Sequence, residues 1–164
     1  MNKIHVLSHV LFNELCEQHN LNDTNIENHT DCAFISIVCT PDVVKYYKGE
    51  ISGEHWFKQD HPNVLNIEFD DVLSDLIIND TEAKAMTFEQ AKDIVSFIER
   101  NLGKDFYIHC TAGISRSGAV ATFIEENYDD YKGCLKDAGH LRPNSDVLCK
   151  LNSVLWDAHF NENE

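Results

Sequence analysis

Residues 109–118 read His-Cys-Thr-Ala-Gly-Ile-Ser-Arg-Ser-Gly. The segment 105–109 that leads into them is rich in aromatic and β-branched residues, which predicts a buried strand, and a helix is predicted over 117–127. In α/β folds, ligands bind where a loop leads from the carboxyl end of a strand into a helix. The stretch therefore predicts an α/β fold and the position of its binding site.

Cys110 is the candidate nucleophile of this loop. A cysteine just before a helix lies near the positive end of the helix dipole and near free backbone N–H groups. Both lower the pKa of a thiol, so that a nucleophilic thiolate exists at neutral pH. The position of Cys110 therefore predicts a reactive sulfur.

The loop also suits an anion. Five residues separate Cys110 from Arg116, enough for the backbone to wrap a phosphate and turn its N–H groups inward. Gly113 permits a conformation or a close approach that a side chain would hinder. Arg116 offers a rigid fork of donors that holds two phosphate oxygens at once. The predicted substrate-binding residues are His109, Thr111, Ala112, Gly113, Ile114 and Ser115.

The string His-Cys-x5-Arg-Ser matches the signature of the protein tyrosine phosphatase superfamily. Its fuller form, His-Cys-x-Ala-Gly-x-Ser-Arg-Ser, resembles the small dual-specificity phosphatases and related compact bacterial and phage-type members. The resemblance implies a hydrolase that acts through a phosphocysteine intermediate on phosphotyrosine, and also on phosphoserine or phosphothreonine, in proteins, or on small phosphomonoesters. It implies no cofactor and no metal, because Arg116 and the backbone supply the electrostatic stabilisation.

Two neighbours of the nucleophile have expected supporting roles. Ser117 is expected to donate a hydrogen bond to the Cys110 sulfur, which helps the sulfur to leave the phosphocysteine. His109 is expected to orient the loop and stabilise the thiolate rather than to transfer a proton.

The resemblance also implies a general acid on a loop upstream of the long helix. Residues 64–72 form the corresponding strand and its exit, and the Phe-x-Asp-Val pattern there selects Asp71. Asp70 is the first alternative, and Asp75 and Asp80 remain possible.

Near the end of the chain, Leu141-Arg142-Pro143-Asn144 is similar to an Arg-Pro element of relatives. The Pro-Asn pair usually found a few positions later is replaced by Asp146 and Val147, so that Asn144 is the candidate amide for positioning water.

Two other functions remain open from the sequence. A phosphate-binding module without turnover, a pseudophosphatase, would keep Cys110 and Arg116 but lack a working acid. An arsenate reductase or sulfurtransferase also places a cysteine in an anion loop, although the Ala-Gly-x-Ser-Arg-Ser string favours a phosphatase.

The rest of the chain predicts one α/β domain over residues 1–164. It is expected to have three layers, with a mainly parallel sheet of four to five strands between helices. Strands are predicted at 3–7, 33–39, 64–69 and 105–109, and helices at 88–101, 117–127, 131–138 and 145–158. Thr87 and Gln90 form a capping-box pattern at the start of the 88–101 helix.

Composition restricts the possible partners. The formal charge is -15, from 28 acidic and 13 basic side chains, which disfavours nucleic acid, anionic membranes and acidic phosphopeptides. A loop without lysine argues against phosphoinositides. The segment 49–63, with His55, Trp56, Phe57 and His61, either walls the site or packs as a surface loop.

The six cysteines show neither close pairs nor a zinc pattern, which favours free thiols and a cytoplasmic location, where the environment is reducing. Cys32 and Cys39 are candidate disulfide partners for an oxidised Cys110.

Overall fold

The computed structural model describes residues 2–163. Its strands are β1 (Ile4–Ser8), β2 (Cys32–Val38), β3 (Val64–Glu68), β4 (Leu76–Ile78), β5 (Thr81–Ala83) and β6 (Asp105–Cys110). Its α-helices are α1 (His9–Gln18), α2 (Pro41–Tyr46), α3 (Phe88–Arg100), α4 (Arg116–Asn127) and α5 (Ser145–Glu162). Two 3₁₀ turns occupy Ile26–Asn28 and Asp129–Tyr131. Within this described part, no helix is long and apolar enough to cross a membrane.

Four strands form a parallel sheet in the order β1-β6-β2-β3. The strand β6 pairs with β1 on one side, where Ser8 lies opposite Cys110, and with β2 on the other. The carboxyl end of β6 therefore lies in the middle of the sheet edge. The predicted α/β class with a mainly parallel sheet between helices is confirmed.

Alternation along the strands produces two apolar layers, because successive side chains point to opposite faces of a sheet. In β2, Ala33, Ile35 and Ile37 belong to the layer packed by α3, α4 and α5. Phe34 faces the other way and packs with Phe12 of α1. Helices therefore cover both faces of the sheet, and the loops that follow the strands lie at the carboxyl edge.

The predicted strands are found within about one residue of their expected bounds, and so are three of the predicted helices at their starts. The capping box is present, with Gln90 N donating to Thr87 Oγ1 and Thr87 N to Gln90 Oε1. The predicted helix at 131–138 is wrong, because turns follow the 3₁₀ turn there. Gly133 has a φ of +80°, a left-handed conformation that no α-helix contains.

The hairpin β4–β5 was not predicted from the sequence. Its strands have three residues each and are joined by Asn79 and Asp80, with φ of 50° and 63°. Two left-handed residues in succession are typical of the tight turn that joins hairpin strands. The hairpin lies between β3 and α3 in sequence and packs against α2.

Candidate active site

The loop 111–115 connects β6 to α4 and rests directly on β1. Gly113 has a φ of +73°, and a Cβ built there would lie 2.5 Å from the backbone carbon of Leu7 and from the nitrogen of Ser8. Thr111 O accepts hydrogen bonds from His9 N at 3.2 Å and from His9 Nδ1 at 3.1 Å. The loop conformation is therefore set by glycine and by contacts with the end of β1.

Cys110 lies at the start of this loop, and the residue is 2 % exposed. Ser117 Oγ is 3.0 Å from the Cys110 sulfur. Burial opposes ionisation of the thiol, but the Ser117 hydroxyl and N–H, the Arg116 charge and the Ile114 N–H outweigh burial and lower the pKa of Cys110. The geometry thus favours a thiolate.

Arg116 is 3 % exposed and held from one side. Its Nη1 donates to Phe69 O at 2.8 Å and to the Cys39 sulfur at 3.3 Å, and its Nη2 donates to Thr111 Oγ1 at 3.1 Å. A guanidinium has five N–H donors, so one on Nη2 and the one on Nε remain. Among the described residues, the buried Nε has no partner.

An unpaired buried donor is costly unless something else satisfies it. Two free donors on adjacent nitrogens match two oxygens of a single phosphate. Arg116 therefore has the free donors needed to hold two oxygens of an oxyanion.

His109 is linked to a buried chain of hydrogen bonds. Its Nδ1 lies 3.2 Å from Cys110 O, and its Nε2 lies 2.6 Å from Ser36 Oγ, which in turn lies 2.7 Å from His55 Nδ1. A carbonyl only accepts, so Nδ1 carries the proton and Ser36 donates to Nε2. Burial lowers the pKa of His109 to about 4, so the ring is neutral at pH 7 and is fixed as a donor to the carbonyl of Cys110.

Of the remaining loop residues, two accept hydrogen bonds from the segment before α5, and one is exposed to solvent. Ile114 O and Ser115 O accept hydrogen bonds from Arg142 N at 3.1 Å and from Asn144 N at 3.0 Å. Ala112 is exposed and has no side-chain polar atom. The segment before α5 therefore supports the loop from its outer side.

Asp71 is the candidate acid that reaches the loop. Its Oδ1 accepts from Ser115 Oγ at 2.8 Å and from Asn144 Nδ2 at 2.9 Å. Both contacts use one oxygen, which leaves Oδ2 for a substrate. Asn144 is also the N-cap of α5, because its Oδ1 accepts from Val147 N at 3.1 Å.

The other aspartates are placed differently. Asp70 is 2 % exposed, and its carboxylate accepts from Thr40 N, Thr40 Oγ1 and Lys84 N at 2.7 to 2.9 Å. Asp75 accepts from Ala85 N at 2.9 Å, and Asp80 lies in the β4–β5 turn. Asp70 thus joins α2 to the hairpin and has no free oxygen.

No protein-family model and no curated protein sequence matches the chain. Among solved structures, PTPMT1 in complex with PI(5)P matches with a TM-score of 0.50 and 12% identity, over 98% of this chain and 94% of that chain. The chain has the protein tyrosine phosphatase fold. The human tyrosine phosphatase-like serine/threonine/tyrosine-interacting protein matches with a TM-score of 0.44 and 18% identity, over 84% of this chain and 83% of that one.

In this phosphatase fold, a cleft of about 340 Å³ opens onto the loop at Thr111 and Arg116. One wall comes from α2 and the residues after it, and the other from the hairpin and from the exit of β3. The apolar and aromatic lining residues are Val43, Tyr46, Tyr47, Ile51, Val72, Ile78 and Ala83. The polar ones include Asp70, Asp71 and Thr81.

Three residues at the site were missed by sequence reasoning. Cys39 was considered only for redox chemistry, yet its sulfur accepts a bond from Arg116, and Thr40 holds Asp70. Ser36, in mid-strand, links two histidines. The only sequence feature that could have indicated these contacts is the position of the three residues in or just after β2, toward its carboxyl end.

The aromatic residues of the segment 49–63 pack against the rest of the fold. Phe57 is buried against Phe12 and Phe34, and Trp56 Nε1 donates to Leu21 O at 2.8 Å. His55, Trp56, Phe57 and His61 do not line the cleft, whereas Ile51 does.

The described cysteines are all free, with Cys32 at the opposite end of β2 from Cys39. Within residues 2–163, no group of three His, Cys, Asp or Glu side chains is arranged to hold a metal ion.

Proposed function

We propose that this chain is a cysteine-dependent phosphatase that hydrolyses phosphoric monoesters, above all phosphotyrosine and also phosphoserine or phosphothreonine in proteins. One observation carries the proposal: the same loop holds a thiol with a lowered pKa and a buried guanidinium with two unused donors. A nucleophile and an oxyanion receptor on one loop are what phosphoryl transfer to sulfur requires.

In the first step, the Cys110 thiolate attacks phosphorus and forms a P–S bond while the P–O bond to the leaving group breaks. Asp71 gives its proton to the leaving oxygen, because its Oδ2 is free and its Oδ1 is fixed by Ser115 and Asn144. Arg116 and the loop N–H groups stabilise the charge on the equatorial oxygens.

In the second step, water attacks the phosphocysteine and gives a proton to the Asp71 carboxylate. The P–S bond breaks and the thiolate is restored. Ser117 is 3.0 Å from the sulfur and donates its hydrogen bond to the departing thiolate, which makes sulfur a better leaving group.

Asp71 is a better candidate for the acid than Asp70. The three hydrogen bonds to Asp70 engage both of its carboxylate oxygens and leave neither oxygen for a substrate. Asp71→Asn should lose the basic limb of the pH–rate profile for an aryl phosphate and roughly 10²–10⁴-fold of turnover.

Asp70→Asn is the matched control and should keep that basic limb, although it should destabilise the fold. If Asp71→Asn keeps the limb and Asp70→Asn loses it, the assignment is reversed.

The function itself is tested by hydrolysis of p-nitrophenyl phosphate with the wild type and with Cys110→Ser. Turnover by the wild type and none by Cys110→Ser is the expected result. If the wild type binds vanadate but hydrolyses no aryl phosphate at any pH, the chain is a phosphate-binding module and the proposal is wrong.

The substrate range is part of the same proposal. The structural neighbour PTPMT1 was solved with PI(5)P, so a phosphoinositide is a necessary comparison substrate. Among the described residues that line the cleft, Arg116 carries the only positive charge, which favours a substrate with one phosphate and an uncharged body.

A further inference from the structure

Three half-exposed side chains form the mouth of the cleft. Tyr46 and Tyr47 follow one another at the end of α2 and are 42% and 49% exposed, and Ile78 of the hairpin is 52% exposed. The Tyr46 hydroxyl accepts a hydrogen bond from Asn79 Nδ2 at 3.2 Å, which ties the hairpin turn to α2. The two Tyr rings are edge to face, with centroids 5.0 Å apart. This mouth is apolar and fixed on both sides.

The depth of the site restricts what can enter. Cys110 and Arg116 are 2% and 3% exposed. Phosphoserine has one carbon between its phosphate oxygen and the backbone, so reaching Arg116 would draw peptide N–H and C=O groups between apolar walls, where they lose water without gaining partners. A phosphotyrosine ring places its phosphate farther from the peptide backbone, and its apolar faces suit the walls.

Charge restricts the residues that flank the phosphorylated side chain. The chain carries a net charge of -15, and Asp70 and Asp71 line the cleft. A third carboxylate, Asp80, belongs to the hairpin turn between Ile78 and Thr81, which both line the cleft. Acidic residues beside the phosphotyrosine would meet these carboxylates, whereas apolar residues would cover Tyr47 and Ile78.

We propose that this mouth selects phosphotyrosine in an apolar sequence context over phosphotyrosine between acidic residues, and that Ile78 is a specificity-determining residue. The proposal rests on the phosphatase function above and names the substrate of that site. The partner is a phosphoprotein segment with aliphatic residues next to the phosphotyrosine.

The test compares kcat/KM for two phosphotyrosine peptides that differ only in flanking residues, Leu and Val in one and Glu in the other. The wild type should prefer the apolar peptide by about tenfold or more. Ile78→Ser should lower this preference roughly three- to tenfold. This factor corresponds to the free energy gained when about half of an isoleucine side chain is removed from water.

Ile77→Ser is the matched control. Ile77 is the neighbouring residue in β4, is 74% exposed and does not line the cleft, so this change should leave the preference unaltered. Urea unfolding of both variants shows whether the hairpin substitutions are tolerated equally.

Several results would overturn the proposal. Equal rates on the two peptides, faster hydrolysis of the acidic one, a better rate with phosphoserine in the same apolar context, or a better rate on PI(5)P in vesicles would each do so. If the wild type hydrolyses no small aryl phosphate, the phosphatase function fails on its own. Fluorescence polarisation of the two phosphopeptides then decides whether the mouth still prefers apolar neighbours.

Discussion

Gly113 is the residue on which the shape of the phosphate loop depends. Alanine at this position would need a left-handed backbone, which costs roughly 1–2 kcal/mol. Its Cβ would also lie 2.5 Å from the backbone of Leu7 and Ser8, and a paired strand cannot move aside as a flexible side chain can. Gly113→Ala should therefore lower the free energy of unfolding by more than that conformational cost and weaken vanadate binding.

Gly139→Ala provides the control, because nothing lies within 4 Å of a Cβ built there. It should change neither urea unfolding nor vanadate binding. A Gly113→Ala variant with normal stability and normal vanadate binding would show that the loop does not need its close contact with β1.

At the scale of residues, spacing along the chain predicted which side chains lie near Cys110, while their roles stay predictions. Cys110, Arg116 and Ser117 lie within one loop and the first turn of one helix, so local sequence fixes their proximity. The contact of Asn144 with Asp71 joins residues 73 positions apart. It depends on how α5 approaches the exit of β3, which no local pattern contains.

His61 links two elements outside the active site. Its Nε2 lies 2.8 Å from Asp23 Oδ1 and its Nδ1 lies 3.1 Å from Glu27 Oε1. Carboxylates only accept hydrogen bonds, so both ring nitrogens carry protons and the ring is cationic. The contact joins the 22–28 turns to the start of β3.

This contact should make stability depend on pH. The hydrogen bond to Asp23, opposed by burial and aided by Glu27, raises the pKa of His61 above 6.5. Burial alone would raise the pKa of Asp23, but its bonds from His61, Lys58 and Gln59 lower it below 3.8. A raised histidine pKa stabilises the fold below pH 6.5 and loses this effect as pH rises through the folded value. A lowered aspartate pKa stabilises the fold above pH 3.8, and this stabilisation is lost as the pH falls through the folded value.

His61→Gln should therefore destabilise the chain most between about pH 4 and 6.5, and progressively less at alkaline pH. Urea unfolding across that range measures the difference, with the exposed His140→Gln as the control. A His61→Gln penalty that grew from pH 6 to pH 9 would contradict the proposed charge state.

At the scale of elements, a helix or strand could be predicted where its apolar residues repeat with a regular period over enough residues. The helix α3 repeats its buried residues at threes and fours and has a full capping box, so its bounds were predicted within one residue. The strands β4 and β5 have three residues each, too short for any alternation to show. Residues 131–138 carry apolar side chains, but Tyr131 is held by its hydroxyl bond to Lys104 O at 2.6 Å and Gly133 turns the chain.

The whole molecule carries a charge of -15 around a site for which we propose an anionic substrate. Raising the ionic strength shortens the screening length from about 30 Å at 0.01 M to about 8 Å at 0.15 M. It therefore weakens the long-range repulsion of a dianionic substrate more than the buried contact with Arg116. KM for p-nitrophenyl phosphate should fall over this range.

Sodium chloride and potassium chloride should act alike, because the effect is one of screening. A KM that rises steadily with salt would show that attraction, rather than repulsion, dominates the approach of the substrate. The composition predicted this conflict between global charge and local chemistry, but only the fold shows how Arg116 is shielded from solvent.

Trapping the phosphocysteine intermediate shows whether Cys110 is the nucleophile. The wild type is mixed with an aryl phosphate, quenched in acid within the first turnover, digested and examined by mass spectrometry. One phosphoryl group is expected on the peptide that contains Cys110, and none on this peptide in Cys110→Ser. A phosphoryl group on another residue, or turnover that survives in Cys110→Ser, would contradict the assignment of Cys110 as the nucleophile.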